Sequence, residues 1–410
     1  MSGTFSGLEF DTIERGRPCE SLAASAQLEI KDVSISYLSI PIYSKTNSIS
    51  YLQRRDTDES SHGMSQPPPP LAPATATISI GKPGTHSIES ILKAIAGAGL
   101  KGVEICYNNL VHHAISRFPT KSDDVEHHQL LEAAKDIKRQ CDELHLTIIV
   151  LQPFSHYDGL LDSELHQRMV ARFERWLDIA KALGCDTIQI PSNATASGTT
   201  GDLDKVVADM VEIADLAAKH DPAVKLAYEA LSWGAHIDLW EQSWEVVQRV
   251  DRSNFGLCLD TYHIAARVFA DPASESGQMP NAKADLVESL LKLVKEVDVK
   301  KVFYLQLSDA EKLESPLVEG HEFYEAGQPA RMSWSRNARL FPCEEVLGGF
   351  LPVLSITEAI VNELGYRGWI SMEIFSRFLG EKSESVPVEF ATRAMRSYRK
   401  VSEMLGWESL

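Results

Sequence analysis

NFGLCLDTYHI, residues 254–264, is a short apolar run that closes on a carboxylate, Asp260, and sets an imidazole, His263, three residues further on. β-Forming side chains followed at once by Asp and His describe a buried strand that delivers polar groups into a site. Three other stretches have the same form. VKLAYE (224–229) and WISME (369–373) end in carboxylates, and KVFYLQ (301–306) ends in an amide. Side chains alternate across a strand, so Ala227 shares a face with Glu229, Cys258 with Asp260, Val302 and Tyr304 with Gln306, and Ser371 with Glu373. The opposite faces carry Leu226, Leu257, Phe303, Leu305 and Ile370. Bulky apolar groups turn one way and the oxygen donors converge on the other.

The same strand-then-helix rhythm runs outward from these four. ATISI (76–80) precedes a helix over 87–98, with Ser87 as N-cap and Gly99 at the stop. GVEICY precedes a long amphipathic helix over 124–144, TIIVLQPF a helix over 163–183, and DTIQIP a helix over 202–219. VKLAYE leads to a helix over 236–250. NFGLCLD is followed by an irregular segment and a helix over 282–297, KVFYLQL by a long excursion and a helix over 355–364, and WISMEIF by a helix over 388–404. Eight alternating units predict a closed (β/α)8 TIM barrel, and no GxGxxG turn follows the first strand to suggest a dinucleotide fold. Glu104, Gln152 and Gln189 also fall on inward faces.

Two segments stand outside the rhythm. Residues 1–73 hold one β-like patch (SISYLSIPIYS), a polar stretch and the run Pro67–Pro70, and read as a poorly ordered N-terminal extension ahead of a catalytic domain over 74–410. The excursion over 308–352 is about 45 residues long, where a βα connection takes about 2 to 6. It carries Arg331, Arg336, Arg339 and Trp334 and reads as a lid or binding loop, with a homo-oligomer contact as the alternative.

A formal charge of −18 argues against nucleic acid and anionic membranes as partners. No apolar run approaches a membrane span, no signal segment begins the sequence, and the six cysteines are scattered without CxxC pairs. A cytoplasmic protein with reduced thiols is expected.

Three carboxylates (Glu229, Asp260, Glu373) and one amide (Gln306) at inward strand ends make a hard oxygen set for a divalent cation such as Mg2+, Mn2+ or Co2+. Carboxylates crowded into one pocket repel, and a metal removes that cost. His263, three residues past a ligand, is placed to act as a general base. The remaining histidines read as loop or surface residues, with His86 and His236 nearest the barrel mouth.

The stretches LQPFSHYDGLL (151–161), DTIQIPSN (186–193), NFGLCLDTYHIAAR (254–267), VFYLQLSDAEKL (302–313), QPARMSWSRNARLF (328–341) and WISMEIFSR (369–377) resemble the fungal 3-dehydroshikimate dehydratases of quinate catabolism, which belong to the xylose isomerase-like barrel superfamily. The resemblance covers residues 74–404. It implies a metal held by Glu229, Asp260, Gln306 and Glu373, substrate contacts from His263 and the arginines of SWSRNAR, and dehydration of a small anionic substrate, 3-dehydroshikimate, to protocatechuate. In that reaction Arg336 or Arg339 would clamp the substrate carboxylate bidentately. Two other readings share the barrel: a metal-dependent sugar or polyol isomerase or epimerase, and a noncatalytic metal-stabilised binding protein. The arginine-rich loop argues against the first, because a neutral sugar needs no carboxylate clamp.

Overall fold

The computed structural model describes residues 71–118 and 125–407. Within them eight parallel strands close on themselves: β1 Ala72–Ala76, β2 Gly102–Cys106, β3 Thr147–Gln152, β4 Thr187–Pro191, β5 Lys225–Glu229, β6 Phe255–Asp260, β7 Val302–Leu307 and β8 Trp369–Met372. Each pairs with its neighbours in sequence and β8 returns to β1, which is the expected (β/α)8 barrel. The first strand is Ala72–Ala76, ahead of the ATISI stretch (76–80) expected to form it, where Thr77–Ser79 makes a 3-10 turn instead, and it starts two residues before the expected domain boundary. The extension expected before it lies, up to residue 70, outside the described residues. Among the described residues no helix is long and apolar enough to cross a membrane.

Among the described residues eleven α-helices accompany the strands: α1 Ile88–Ala98, α2 Tyr107–Arg117, α3 His127–Glu143, α4 Ser163–Leu183, α5 Leu203–Ala217, α6 Trp240–Val250, α7 Thr261–Val268, α8 Ala282–Glu296, α9 Ala330–Ala338, α10 Val353–Glu358 and α11 Val386–Met404. Ser87 caps α1 as read from the sequence: its Oγ accepts the N–H of Ser90 at 3.1 Å, and Gly99 ends the helix at φ 94°. Three helices were not expected, α2, α7 and α9, the last of them inside the excursion after β7. The polar composition of α2 hides its one buried stripe, Leu110 and Ala114. The segment after β6, expected to be irregular, is helical from Thr261 because Asp260 caps it, its Oδ1 accepting the N–H of Tyr262 at 2.8 Å.

The alternation read from the sequence separates two layers of core. Leu226, Leu257, Leu305 and Ile370 pack outward with the helices, while Ala74, Val150, Ala227, Cys258 and Tyr304 fill the barrel. At two places a bulge breaks the period. Pairing passes from Val103↔Ile148 to Glu104↔Val150, and from Leu257↔Val302 to Cys258↔Tyr304, leaving Ile149 and Phe303 as extra residues. Val302 therefore joins the outer core and Phe303 packs on the inner cluster, the reverse of strict alternation. Beyond the bulge Tyr304 and Gln306 face inward as expected.

The excursion after β7 is folded down onto the barrel mouth. Asp309–Ala310 pairs antiparallel with Arg339–Leu340, closing a loop that contains α9. Trp334 is buried, donates its indole N–H to the carbonyl of Glu311 at 2.9 Å, and lies 5.3 Å from the ring of Tyr262. Arg331 donates to the carbonyls of Ala266 and Ala270 and so ties the excursion to α7.

Asp309 fastens the two ends of this loop. Its Oδ1 accepts the N–H groups of Ala310, Phe350 and Leu351 at 2.7, 3.1 and 2.8 Å. Burial pushes its carboxyl up to about 7 against the pull of those three donors. A folded-state value raised above the unfolded one means that stability is full below the unfolded carboxylate range and is lost as pH rises through about 7. Asparagine keeps an oxygen for the three donors and carries no charge. Asp309→Asn is therefore expected to melt with the parent near pH 4 and above it at pH 8, with the gap opening between. A gap that does not change with pH would show that the loop is not fastened through this carboxyl.

Candidate metal and substrate site

The strand ends set the geometry. Glu229 and Asp260 are the last residues of β5 and β6, Gln306 lies near the end of β7, and Glu373 follows β8 directly. All four are buried, as is His263 on the first turn of α7. Because Asp260 spends Oδ1 on capping α7, its Oδ2 is left for the site. Glu229, Asp260 and His263 each offer a ligating atom, all within 4.8 Å of one another. His263 Nε2 stands 3.5 Å from Asp260 Oδ2 and 3.7 Å from Glu229 Oε1.

A ring of amides and hydroxyls holds these groups. Gln189 donates to Glu229 Oε2 at 2.7 Å, and Gln152 donates to Glu373 Oε1 at 2.8 Å and to Glu104 Oε2 at 3.0 Å. Gln306 donates its own amide N–H to Glu104, 3.1 Å from Oε2, and its Oε1 accepts the thiol of Cys258 at 3.3 Å. Glu229 Oε1 is buried with no hydrogen-bond partner. Burial raises the Glu229 carboxyl well above its usual range, and the charges of Asp260 and Glu373 add to the shift. Burial also raises Asp260 and Glu373, with the Arg339 charge opposing. His263 is driven well below the usual imidazole value, first by burial and then by Arg339. It is neutral at physiological pH.

Arg339 and Arg336, paired in the sequence reading, part company here. Arg336 lies on the exposed side of α9 and donates to Gln328 Oε1 at 2.6 Å; it does not join the cluster. Arg339 is 1% exposed and sits within it. Its NH1 donates to Asp260 Oδ2 at 2.7 Å, Ser308 Oγ at 3.1 Å and Glu373 Oε2 at 3.3 Å, and its Nε donates to Ser335 Oγ at 2.8 Å. NH2 faces His263 Nε2 at 3.1 Å, and the guanidinium lies 4.1 Å from the centre of the Tyr262 ring. A guanidinium buried beside two carboxylates is drawn to them. The free bidentate fork expected for a substrate carboxylate is thus engaged by the protein's own groups.

The donor set fits a divalent cation. Glu104, Glu229, Asp260 and Glu373 bring four buried carboxyl groups against the single guanidinium of Arg339, and Glu229 Oε1 is an acceptor that nothing fills. These are hard oxygen donors, suited to a cation of the Mg2+ or Mn2+ type. His263 is less suited to ligation. Its Nδ1 faces the backbone N–H of Ser232 at 2.9 Å, which favours the ring proton on Nε2, whereas Arg339 NH2, which only donates, faces Nε2 at 3.1 Å and favours it on Nδ1. Ser232 Oγ, 3.2 Å from Nδ1, offers the other tautomer an acceptor.

The sequence reading missed Ser232, Ser308 and Ser335, loop and helix serines that no periodicity marks. Glu104 and Gln152 were marked only as inward polar residues. His86 and His236 lie apart from the cluster: His86 bridges Lys82 N and Ser383 O, and His236 contacts Thr199 Oγ1.

Residues 92–398 match the family model described as xylose isomerase-like TIM barrel. The chain is 42% identical over 337 residues to a 3-dehydroshikimate dehydratase of Neurospora crassa, covering 81% of this chain and 94% of that protein. It is 30% identical to a 3-dehydroshikimate dehydratase of Pseudomonas aeruginosa over 73% of this chain, but spans only 37% of that longer protein. Among solved structures, an IOLI protein with a binding zinc atom superposes with a TM-score of 0.59 at 17% identity, covering 83% of this chain and 100% of that one. The probable 3-DHS dehydratase AsbF of Bacillus anthracis gives 0.52 at 15%, covering 80% and 99%. At those identities the two structures establish the fold.

Proposed function

The chain belongs to the xylose isomerase-like TIM-barrel family, and from that premise we propose that it is a hydro-lyase that dehydrates 3-dehydroshikimate to protocatechuate. Relatives of that name, one of them matched along nearly its whole length, support the activity. What favours it over an isomerase on the same barrel is one observation: a buried guanidinium, Arg339, stands inside the carboxylate cluster. Its Nε and NH1 are taken by the protein's own groups, which leaves NH2, at His263 Nε2, for a substrate carboxylate that an uncharged ketose lacks. The buried, unpaired state of all five described cysteines supports a cytoplasmic setting.

The substrate carries a carboxylate, a ring ketone and a hydroxyl β to that ketone. Glu229, Asp260, Gln306 and Glu373 would hold a divalent cation (Mg2+, Mn2+ or Co2+), which supplies Lewis acidity at the ketone oxygen and acidifies the α-hydrogen. Arg339 gives its NH2 face to the substrate carboxylate. That releases His263 Nε2, and with the ring proton on Nδ1 against Ser232 Oγ, Nε2 takes the α-proton. The depressed imidazole value keeps His263 unprotonated and ready for this step. The imidazolium then returns the proton to the β-hydroxyl, which leaves as water, and tautomerisation gives the aromatic catechol acid. Atoms balance as loss of one water, without a redox cofactor.

Protein stripped by chelation and supplied separately with Mg2+, Mn2+ or Co2+ is expected to convert 3-dehydroshikimate to a product with the catechol chromophore, and to lose that activity again on chelation. Protein that ignores 3-dehydroshikimate but interconverts uncharged ketoses would leave the barrel standing and remove the lyase reading.

A further inference from the structure

Glu104 is a buried carboxyl group whose hydrogen bonds come from two amides and a hydroxyl and from no cation: Gln152, Gln306 and Ser371. Burying a carboxyl group in that way is unfavourable unless its acceptors do something. Both amides lead to the ligand set. Gln306 is itself one of the four donors, and Gln152 donates to Glu104 and to Glu373 Oε1 from the same nitrogen. The β2–β3 bulge between Val103 and Glu104 is where the register shifts beside this residue.

We propose that Glu104 is a positioning residue that fixes the amide of Gln306, so that oxygen rather than nitrogen is offered to the cation. The inference rests on reading Gln306 as a ligand. An amide has two ends of nearly equal size and opposite chemistry: the nitrogen only donates and the oxygen only accepts. A cation can use only the oxygen. Glu104 meets the Gln306 nitrogen with both carboxyl oxygens, at 3.3 Å and 3.1 Å. A flipped amide would set its oxygen against them, and that arrangement is repulsive. The Gln306 oxygen is consequently turned toward β6, the strand that ends in Asp260, where it meets Cys258 Sγ at 3.3 Å. Groups behind a ligand set its orientation and typically change metal affinity about 10- to 100-fold when removed.

The test uses the full chain and Mn2+ alone as probe, with affinity read from the free-ion resonance and the Co2+-loaded absorption spectrum as a second readout. Glu104→Gln keeps the shape but offers the Gln306 amide a donor as well as an acceptor. It is expected to weaken Mn2+ binding about 10- to 100-fold and to alter the Co2+ spectrum, with the chelated protein melting no lower than the parent. Gln306→Glu replaces the amide by a carboxylate whose two oxygens are equivalent and need no orienting. Adding Glu104→Gln to Gln306→Glu is therefore expected to cause no further loss of Mn2+ affinity beyond roughly threefold, a dependence on the residue at 306 that a merely structural role would not produce. Parent-like affinity in Glu104→Gln overturns the proposal. So does a loss on adding Glu104→Gln to Gln306→Glu as large as the loss in Glu104→Gln alone, which would show that Glu104 acts through its charge and not through the amide. Undiminished Mn2+ binding in Gln306→Ala would instead sink the ligand reading itself, and the proposal with it.

Discussion

Glu229→Gln is expected to lose turnover of 3-dehydroshikimate by roughly three decades or more, since it withdraws several kcal/mol of transition-state stabilisation. The substitution keeps an oxygen for Gln189, which holds Oε2 at 2.7 Å, and places an N–H where Oε1 stands unpartnered. A donor there cannot ligate a cation. The same change should make the metal-free protein more stable, by about 1 to 3 kcal/mol, because an unsatisfied buried carboxylate is replaced by a neutral group. The sign follows from the raised Glu229 carboxyl: above its unfolded value the folded protein must hold this group protonated or ionise it while buried, a cost that glutamine does not carry. Turnover in several metal concentrations and thermal melting in chelator at pH 8 check the two halves together. Parent-like activity after chelation and metal return would remove Glu229 from the site. Lower apo stability would show that the carboxylate is held by more than Gln189.

The second large effect is at Arg339. Lysine keeps a positive charge but replaces a planar fork with one compact group, so it cannot reach Asp260, Ser335 and His263 together as the guanidinium does. Charge-assisted hydrogen bonds of this kind are worth about 1.5 to 3 kcal/mol each. Arg339→Lys is expected to raise the KM for 3-dehydroshikimate by roughly tenfold to a hundredfold with the fold intact. If kcat falls in parallel, the guanidinium also governs His263, whose Nε2 it faces at 3.1 Å. Arg336→Lys should behave as the parent, since that side chain lies on the exposed side of α9. The reverse pattern, a silent Arg339→Lys and a damaged Arg336→Lys, would mean that the excursion rearranges before substrate binds. Alanine is the poorer probe at 339, because it strands two buried carboxylates and costs about 3 to 5 kcal/mol of stability for that reason alone.

Much of this site could be read from the chain itself because the relevant signals are local. Alternation every two residues and an apolar run ending in a polar group depend only on strand geometry. Repeated on β5, β6, β7 and β8, they place Glu229, Asp260, Gln306 and Glu373 at one end of one barrel, and eight such units leave little choice of architecture. The two bulges escaped because an extra residue in one strand is defined only against its neighbour. A composition rich in Asn and His concealed α2, and α7 was visible only once Asp260 was seen to cap it.

What each polar group finally touches was decided by tertiary structure. Arg336 and Arg339 are three residues apart, a spacing that keeps side chains together on a continuing helix. Here α9 ends at Ala338, and Arg339, extended at φ −68° and ψ 145°, enters the ribbon with Asp309–Ala310 while its N–H bonds the carbonyl of Phe375. One arginine therefore stays on the surface and the other is carried into the carboxylates. The partners that decide this are far apart in sequence, as are Glu104 from Gln306 and Ser232 from His263. Strand order and inward face follow from the residues next to each other, but the hydrogen-bond partner of a buried side chain depends on which distant strand or loop the closed barrel brings to it.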